Sequence, residues 1–222
     1  MGDDAPVITV IAGVNGAGKS SIAGAAIRAA GGAYFNPDEA AQRFRANDPD
    51  LTPTGANSMA WNEGVRLLRT AIATRRHYTF ETTLGGGTII ELLEAAAGAG
   101  FEVRVWYAGL RTPELHIARV AARVRAGGHD IPESDIRRRY TNSRVNLLRL
   151  LPKLEELKVY DNSEERDPKA ALAPAPVLLL HYVHGDIVAP SRALLRKTPE
   201  WAKALVAAAL KIRRASSGKP RR

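Results

Sequence analysis

The chain has 222 residues, 45% of them apolar and 25% charged, a composition that suits one α/β-sized core. It contains no cysteine, which excludes disulfides, thiolate metal sites and thiol nucleophiles. The net charge of +9 is uneven: Lys211, Arg213, Arg214, Lys219, Arg221 and Arg222 supply six charges, leaving +3 elsewhere, too little for a nucleic-acid surface across the domain.

Val7-Ile8-Thr9-Val10-Ile11-Ala12 is an apolar run that reads as a buried parallel strand. It leads into Gly13-Val14-Asn15-Gly16-Ala17-Gly18-Lys19-Ser20, which fills every fixed position of G-x-x-x-x-G-K-S, and Ser21-Ile22-Ala23 begins a helix. In such a turn the backbone from Gly13 through Asn15, Gly16, Ala17 and Gly18 to Ser21 wraps phosphate oxygens at a helix N-terminus. Lys19 then reaches the β- and γ-phosphates, and the Ser20 hydroxyl ligates Mg²⁺. The chain reads as a nucleoside-triphosphate binder.

Ala33-Tyr34-Phe35 reads as a short second strand running into Asn36-Pro37-Asp38. Residues 39–75 read as a helical insertion, broken at Asp48–Pro53, that forms one wall of a substrate site. His77–Phe80 is a third strand ending in Glu81-Thr82-Thr83-Leu84, and Thr88 is the expected N-cap of a helix over Ile89–Ala97. Phe101–Ala108 is a fourth strand, and Thr112-Pro113-Glu114 opens a helix that Gly127-Gly128 ends. Pro132-Glu133 opens the next, reaching about Leu151.

Leu157–Tyr160 and Val177–Tyr182 complete the strands, and Pro199–Ile212 is the closing helix. Strands separated by helices predict an α/β fold, a parallel sheet covered by helices on both faces. The expected organisation is one P-loop kinase-type domain over residues 1–210, with the insertion at 39–75 and a helical lid at about 112–150. Residues 211–222 read as a basic, disordered tail with at most weak polyanion contacts. The N-terminus lacks the basic and apolar regions of a secretory signal, and no stretch is long enough to span a membrane, so cytoplasm is the expected compartment.

A P-loop fixes the phosphates, not the acceptor. The Asn-Lys-x-Asp element of GTPases is missing, and the fourth strand ends in Tyr107-Ala108-Gly109 without a Walker B acid. Small P-loop kinases place a carboxylate opposite the γ-phosphate, and Asp38 and Glu81 are the candidates at strand ends. Asp38 also suits a turn or helix cap. On the helix from Pro113, His116, Arg119 and Arg123 share one face, and Arg137-Arg138-Arg139 lie on the next helix. Two arginine-bearing helices joined at a glycine hinge match a lid that closes cations over phosphate, although each arginine alone suits a solvated face. His181 and His184 read as structural, and Trp61, Trp106 and Trp201 as core or helix anchors.

Several strings occur together in order: Asn-Gly-Ala-Gly-Lys-Ser-Ser at 15–21, Asn-Pro-Asp-Glu at 36–39 and Phe-Glu-Thr-Thr-Leu at 80–84. Gly-Gly-His at 127–129, Ile-Pro-Glu at 131–133, Arg-Arg-Arg-Tyr at 137–140 and Tyr-Asp-Asn-Ser at 160–163 follow. Over residues 6 to 165 the sequence resembles the short bacterial zeta-toxin-like P-loop kinases. The resemblance implies Mg²⁺- and ATP-dependent phosphorylation of a sugar hydroxyl on a UDP-activated aminosugar such as UDP-N-acetylglucosamine, and a small antitoxin protein as partner. It makes Asp38 the base, puts Glu81 and Thr83 at the sugar nucleotide, and puts Arg119 on the ATP phosphates; Thr82 and His129 are further residues expected on the substrate side. The sequence departs from the family at His129, where a second lid arginine is usual, and at Gly85, where serine is usual. Arg123 as a catalytic cation or Arg138 as an ATP ligand is the expected replacement for that arginine. A kinase for an antibiotic, free sugar or nucleoside, or a nucleotide-dependent binding module, remains open on the residues alone.

Overall fold

In the computed structural model the described residues are 5–24, 27, 29, 31–164 and 174–217. Six strands form one sheet in the order β2-β1-β3-β4-β5-β6: β1 is Val7–Ala12, β2 Tyr78–Thr82, β3 Glu102–Gly109, β4 Glu156–Asp161, β5 Val177–Val183 and β6 Asp186–Ala189. The expected parallel sheet covers β2-β1-β3-β4; β5 and β6 add two antiparallel strands at one edge. Hydrophobic alternation sets the faces. In β1, Ile8 and Val10 are fully buried while Val7 and Thr9 are half-buried, so one face carries the main core.

That core is closed by α2 (Pro53–Ala73), α3 (Gly87–Gly98), α5 (Glu133–Leu150) and, after the short α6 (Arg192–Leu195), α7 (Glu200–Ser217), through Leu68, Leu93, Leu147 and Leu205 among others. Trp201 of α7 lies flat against Gly109 at the end of β3, where any Cβ would overlap the indole. On the opposite face Trp106 is only half-buried, under the Lys158 ammonium at 4.6 Å.

Four local readings change. Ala33–Phe35 is not a full strand: Phe35 makes a single parallel bridge to Phe80 before the chain turns into a helix cap. The start of the helix after the P-loop is a π-helical turn, Ser20–Gly24. Thr88 does not cap α3, whose N-cap is Gly86 with no side-chain bond. The last helix runs to Ser217, well into the stretch read as tail, while residues 218–222 lie outside the described residues.

The insertion divides where its prolines place the break. α1 (Pro37–Asn47) is capped by the Asn36 side chain, which accepts from the Asp38 N–H at 2.9 Å. α2 is capped by Thr52, which accepts from Gly55 N–H at 3.1 Å. Ala40, Ala41, Ala56 and Ala60 form their joint apolar contact, small enough for the two helices to close tightly.

Candidate active site

The strand order reverses at β1, so the crevice beyond its carboxyl end lies at the sheet's switch point. A cavity of about 410 Å³ opens there, and the P-loop forms its floor. Gly18 adopts φ +83°, and a Cβ on it would overlap the Asn162 amide. That amide donates to the Ala17 carbonyl at 2.9 Å, tying the loop after β4 to the P-loop. Only glycine permits both the turn and this close clamp.

Lys19 and Glu81 are each only 8% exposed, and their charged atoms stand 3.5 Å apart. The Ser20 hydroxyl donates to the other Glu81 oxygen at 3.0 Å. Glu81 therefore faces the phosphate loop, with both oxygens engaged there. Asp38 is different. Asn36 does the capping, so the Asp38 carboxylate at the second helical position projects into the same cavity. Its partner is Arg123, at 3.3 Å.

The turn after β2 carries Thr82 and Thr83 into the cavity. Leu84 holds a left-handed φ of +56°, fixed by bonds from its N–H to the Thr82 hydroxyl and from the Asn146 amide to its carbonyl. A buried leucine in that region stores strain beside the site.

The lid helices are α4 (Pro113–Arg125), capped by Thr112, and α5. His116, Arg119 and Arg123 share a face as the spacing predicts. Arg119 and Arg123 line the cavity, and Arg119 also donates to the Glu164 carbonyl at 3.1 Å. Arg123 donates to the His129 carbonyl at 2.8 Å, crossing the lid's glycine turn. His129 itself bonds Asn57 at 2.9 Å and lines an adjoining cavity of about 270 Å³, which shares Asp38, Asn57 and Arg123 with the main one.

Arg138 does not reach the cleft: it is paired with Asp135 at 2.7 Å on the outer face of α5. Arg139 enters instead, donating to the Asn15 side chain at 2.9 Å and pairing with Asp135 at 3.1 Å. Burial pulls the Arg139 guanidinium below its ordinary value, with Asp135 opposing. The periodicity of α5 contains the signal. Arg139 is one turn from buried Ile136, on the stripe that continues to Ser143, Leu147 and Leu150, and Arg138 is off it.

His116 is a site residue that its spacing only hinted at. It is 1% exposed, and its Nδ1–H donates to the Asn15 carbonyl of the P-loop at 2.8 Å. Burial depresses its pKa to about 4, with the nearby Lys19, Arg119 and Arg144 charges acting in the same direction and the Asn15 bond against it. The imidazole is thus a neutral strut between lid and P-loop.

Trp61 also departs from its reading as a core anchor: it is 51% exposed and lines the cavity beside Asn57 and Ala60. Beyond the P-loop, Ser21, Ile22, Leu115, Ala118, Ala122 and Pro176 help to line a further cavity of about 650 Å³, reached past Arg119. Among the described residues no group of three or more His, Asp or Glu side chains converges as a metal cage, and no helix is long and apolar enough to cross a membrane.

A P-loop at the switch point of an α/β sheet, faced by an acid and covered by an arginine-bearing helix pair, defines a protein of the P-loop kinase-like fold. The chain belongs to the zeta toxin family, whose model matches residues 2–167. An uncharacterized protein of Haemophilus influenzae is 32% identical over 128 residues, covering 58% of this chain and 88% of its own. Among solved structures, a chain of the AvrRxo1-ORF1:-ORF2 complex with ATP aligns with a TM-score of 0.63 at 16% identity, covering 88% of this chain. The present chain spans only 64% of that one. The PezAT chromosomal toxin–antitoxin system of Streptococcus pneumoniae aligns with a TM-score of 0.53 at 15% identity, over 73% of this chain and 70% of that one. At such identities these likenesses concern the fold.

Proposed function

We propose that the protein is an ATP-dependent kinase that phosphorylates a sugar hydroxyl, with a UDP-activated aminosugar such as UDP-N-acetylglucosamine as the leading acceptor. One observation carries the reading: Asp38, freed from capping, opens on the same cavity as the P-loop lysine. Membership of the zeta toxin family and the likeness to a structure holding ATP support it.

In this reading Asp38 accepts the proton of the acceptor hydroxyl as its oxygen bonds to the γ-phosphorus and the bond to the bridging oxygen of ADP breaks. Lys19, Arg119 and Arg123 neutralise the charge on the transferring group. Arg123 leaves Asp38 for the phosphate as the acceptor arrives, and Arg139, rather than Arg138, braces the P-loop through Asn15. Asn15, Gly16, Ala17, Gly18 and Ser21 complete the ATP cradle, and the larger cavity past Arg119 suits the nucleoside. Mg²⁺ fits the Ser20 hydroxyl and Glu81 carboxylate, adjacent hard oxygen donors, and when bound it supplies charge neutralisation on the phosphate oxygens. Thr82, Thr83 and His129, through Asn57, then line the acceptor side.

A small antitoxin protein is the proposed partner, supported by the likeness to PezAT, and cytoplasm, where ATP is abundant, is the proposed compartment. The test is purified protein with ATP, Mg²⁺ and a panel of UDP-sugars, free sugars, nucleosides and aminoglycosides, read by mass spectrometry. One phosphoryl group added to a UDP-aminosugar is the expected result. Transfer to another acceptor keeps the kinase and changes its substrate. ATP binding without transfer to any acceptor leaves a nucleotide-dependent binding module.

A further inference from the structure

α2 uses small residues for packing. Ala56, Ala60 and Gly64, four apart, form its inward stripe, and the Phe35 ring fills the space a Gly64 side chain would take. Trp61 stands one residue round from that stripe and has no packing role there. Among the described residues no aromatic ring or cation stacks on its indole, and its N–H has no hydrogen-bond partner. A half-exposed tryptophan on the wall of a concave cleft offers a flat apolar face to whatever enters it.

The position of the ring says what covers it. Trp61 lines the cavity that holds Asp38, Thr83 and Lys19, and it borders none of the cavity past Arg119 proposed for the nucleoside of ATP. A macromolecular docking patch fits poorly. The other exposed large apolar side chain of this helix, Met59, is two positions away, roughly 160–200° around the axis, so the two form no common surface. The cavity, about 410 Å³ with the P-loop at its floor, is the size of a small-ligand site.

We propose that Trp61 is the platform on which the acceptor stacks, and that the acceptor therefore presents a flat ring face, that of a pyranose or of a nucleobase, beside the hydroxyl that Asp38 receives. This rests on the kinase reading for the hydroxyl, but not for the stacking. The aromatic face recognises the ring by dispersion and by contact with its C–H groups, while Asp38 and Thr83 select the hydroxyl.

The experiment uses four probes, N-acetylglucosamine, uridine, UDP-N-acetylglucosamine and the acyclic glycerol, with the wild-type chain, Trp61→Ala and Trp61→Phe. Transfer from ATP is measured alongside tryptophan emission during titration with each probe. Trp61→Ala should raise the KM of the phosphorylated ring-bearing probe by about tenfold or more. Trp61→Phe should recover most of that loss, and the KM for ATP and the melting temperature should hold in both. The ring probe should change the emission of the wild-type chain and not that of Trp61→Phe. Response to N-acetylglucosamine assigns the platform to the pyranose; response to uridine alone assigns it to the base. A ring-probe KM unmoved in Trp61→Ala, transfer to glycerol as efficient as to the ring probes, or no emission change with any ring probe overturns the proposal. Emission changes with no transfer to these four probes uphold the platform, and failure of the whole acceptor panel as well overturns the kinase reading instead.

Discussion

The two walls of the cleft are built differently. On the P-loop wall several groups are held before any ligand arrives: Lys19 against Glu81, Ser20 on Glu81, Ala17 under Asn162 and Asn15 between His116 and Arg139. On the wall contributed by α1 and α2, Asp38 keeps 46% of its side chain exposed and pairs with Arg123, and among the described residues no ring or cation stacks on the half-exposed Trp61. A site for a fixed donor gains from preorganisation, because phosphate charge then meets dipoles already aligned. A site that chooses among acceptors is made by exposed side chains carried on an insertion, whose replacement leaves the sheet intact.

The contrast can be broken first at Asp38. Asp38→Asn preserves shape and removes the base, so turnover should fall about 10²–10⁴-fold, or about 2.7–5.4 kcal/mol, with melting temperature unchanged. A variant retaining more than about a tenth of kcat would remove Asp38 from the chemistry. On the other wall, Lys19→Ala should cost about 10²–10³-fold in kcat, as for loss of one preorganised charge donor, and should also lower thermal stability by leaving Glu81 buried without its cation. Steady-state rates and calorimetry on the same preparations separate the two walls: stability should suffer only at Lys19.

Arg119→Ala should lower kcat about 10–100-fold, the worth of one charged hydrogen bond, while acceptor KM holds. A raised KM with intact kcat would move Arg119 to the acceptor wall. The last effect is on stability alone and comes from pH. The His116 pKa is about 4 folded against 6.5 unfolded, so between those values the unfolded chain binds a proton that the folded chain refuses. Stability should therefore be level above about pH 6.5 and fall as pH drops toward 4, by up to about 3 kcal/mol. Urea titrations at pH 7 and 5 read the slope, and His116→Gln, which keeps a donor for the Asn15 carbonyl, should flatten it.

Much of this was legible because local signals agreed. Apolar runs ending in glycine or turn residues located β1, β2, β3 and β4, Pro113 marked a helix start, and the Asp48–Pro53 break divided the insertion. β6 escaped notice because it is four residues long and follows a turn at His184-Gly185, both with positive φ, without the Asn-Gly or Asp-Gly pair that usually signals it. The two local errors at the site have local remedies: the Ile136 stripe picks Arg139 over Arg138, and the alanine stripe of α2 leaves Trp61 outside the core. The clamp of Asn162 on Ala17 is of another kind. It joins residues 145 apart, and no periodicity or motif of either segment encodes the meeting.

The family match ends at residue 167, but the folding unit does not. Leu180, Tyr182, Trp201, Leu205 and Ala209 belong to the same core as Ile8, Val103 and Leu157, and the Trp201 ring closes over Gly109 directly beneath the site. A chain cut after residue 167 would turn β4 from an interior strand into an open edge and leave Tyr107 facing water. Its expected fate is aggregation rather than a smaller active enzyme. The half that carries the P-loop and Asp38 is therefore hostage to a C-terminal brace that adds only the Pro174–Pro176 stretch to the walls of the site.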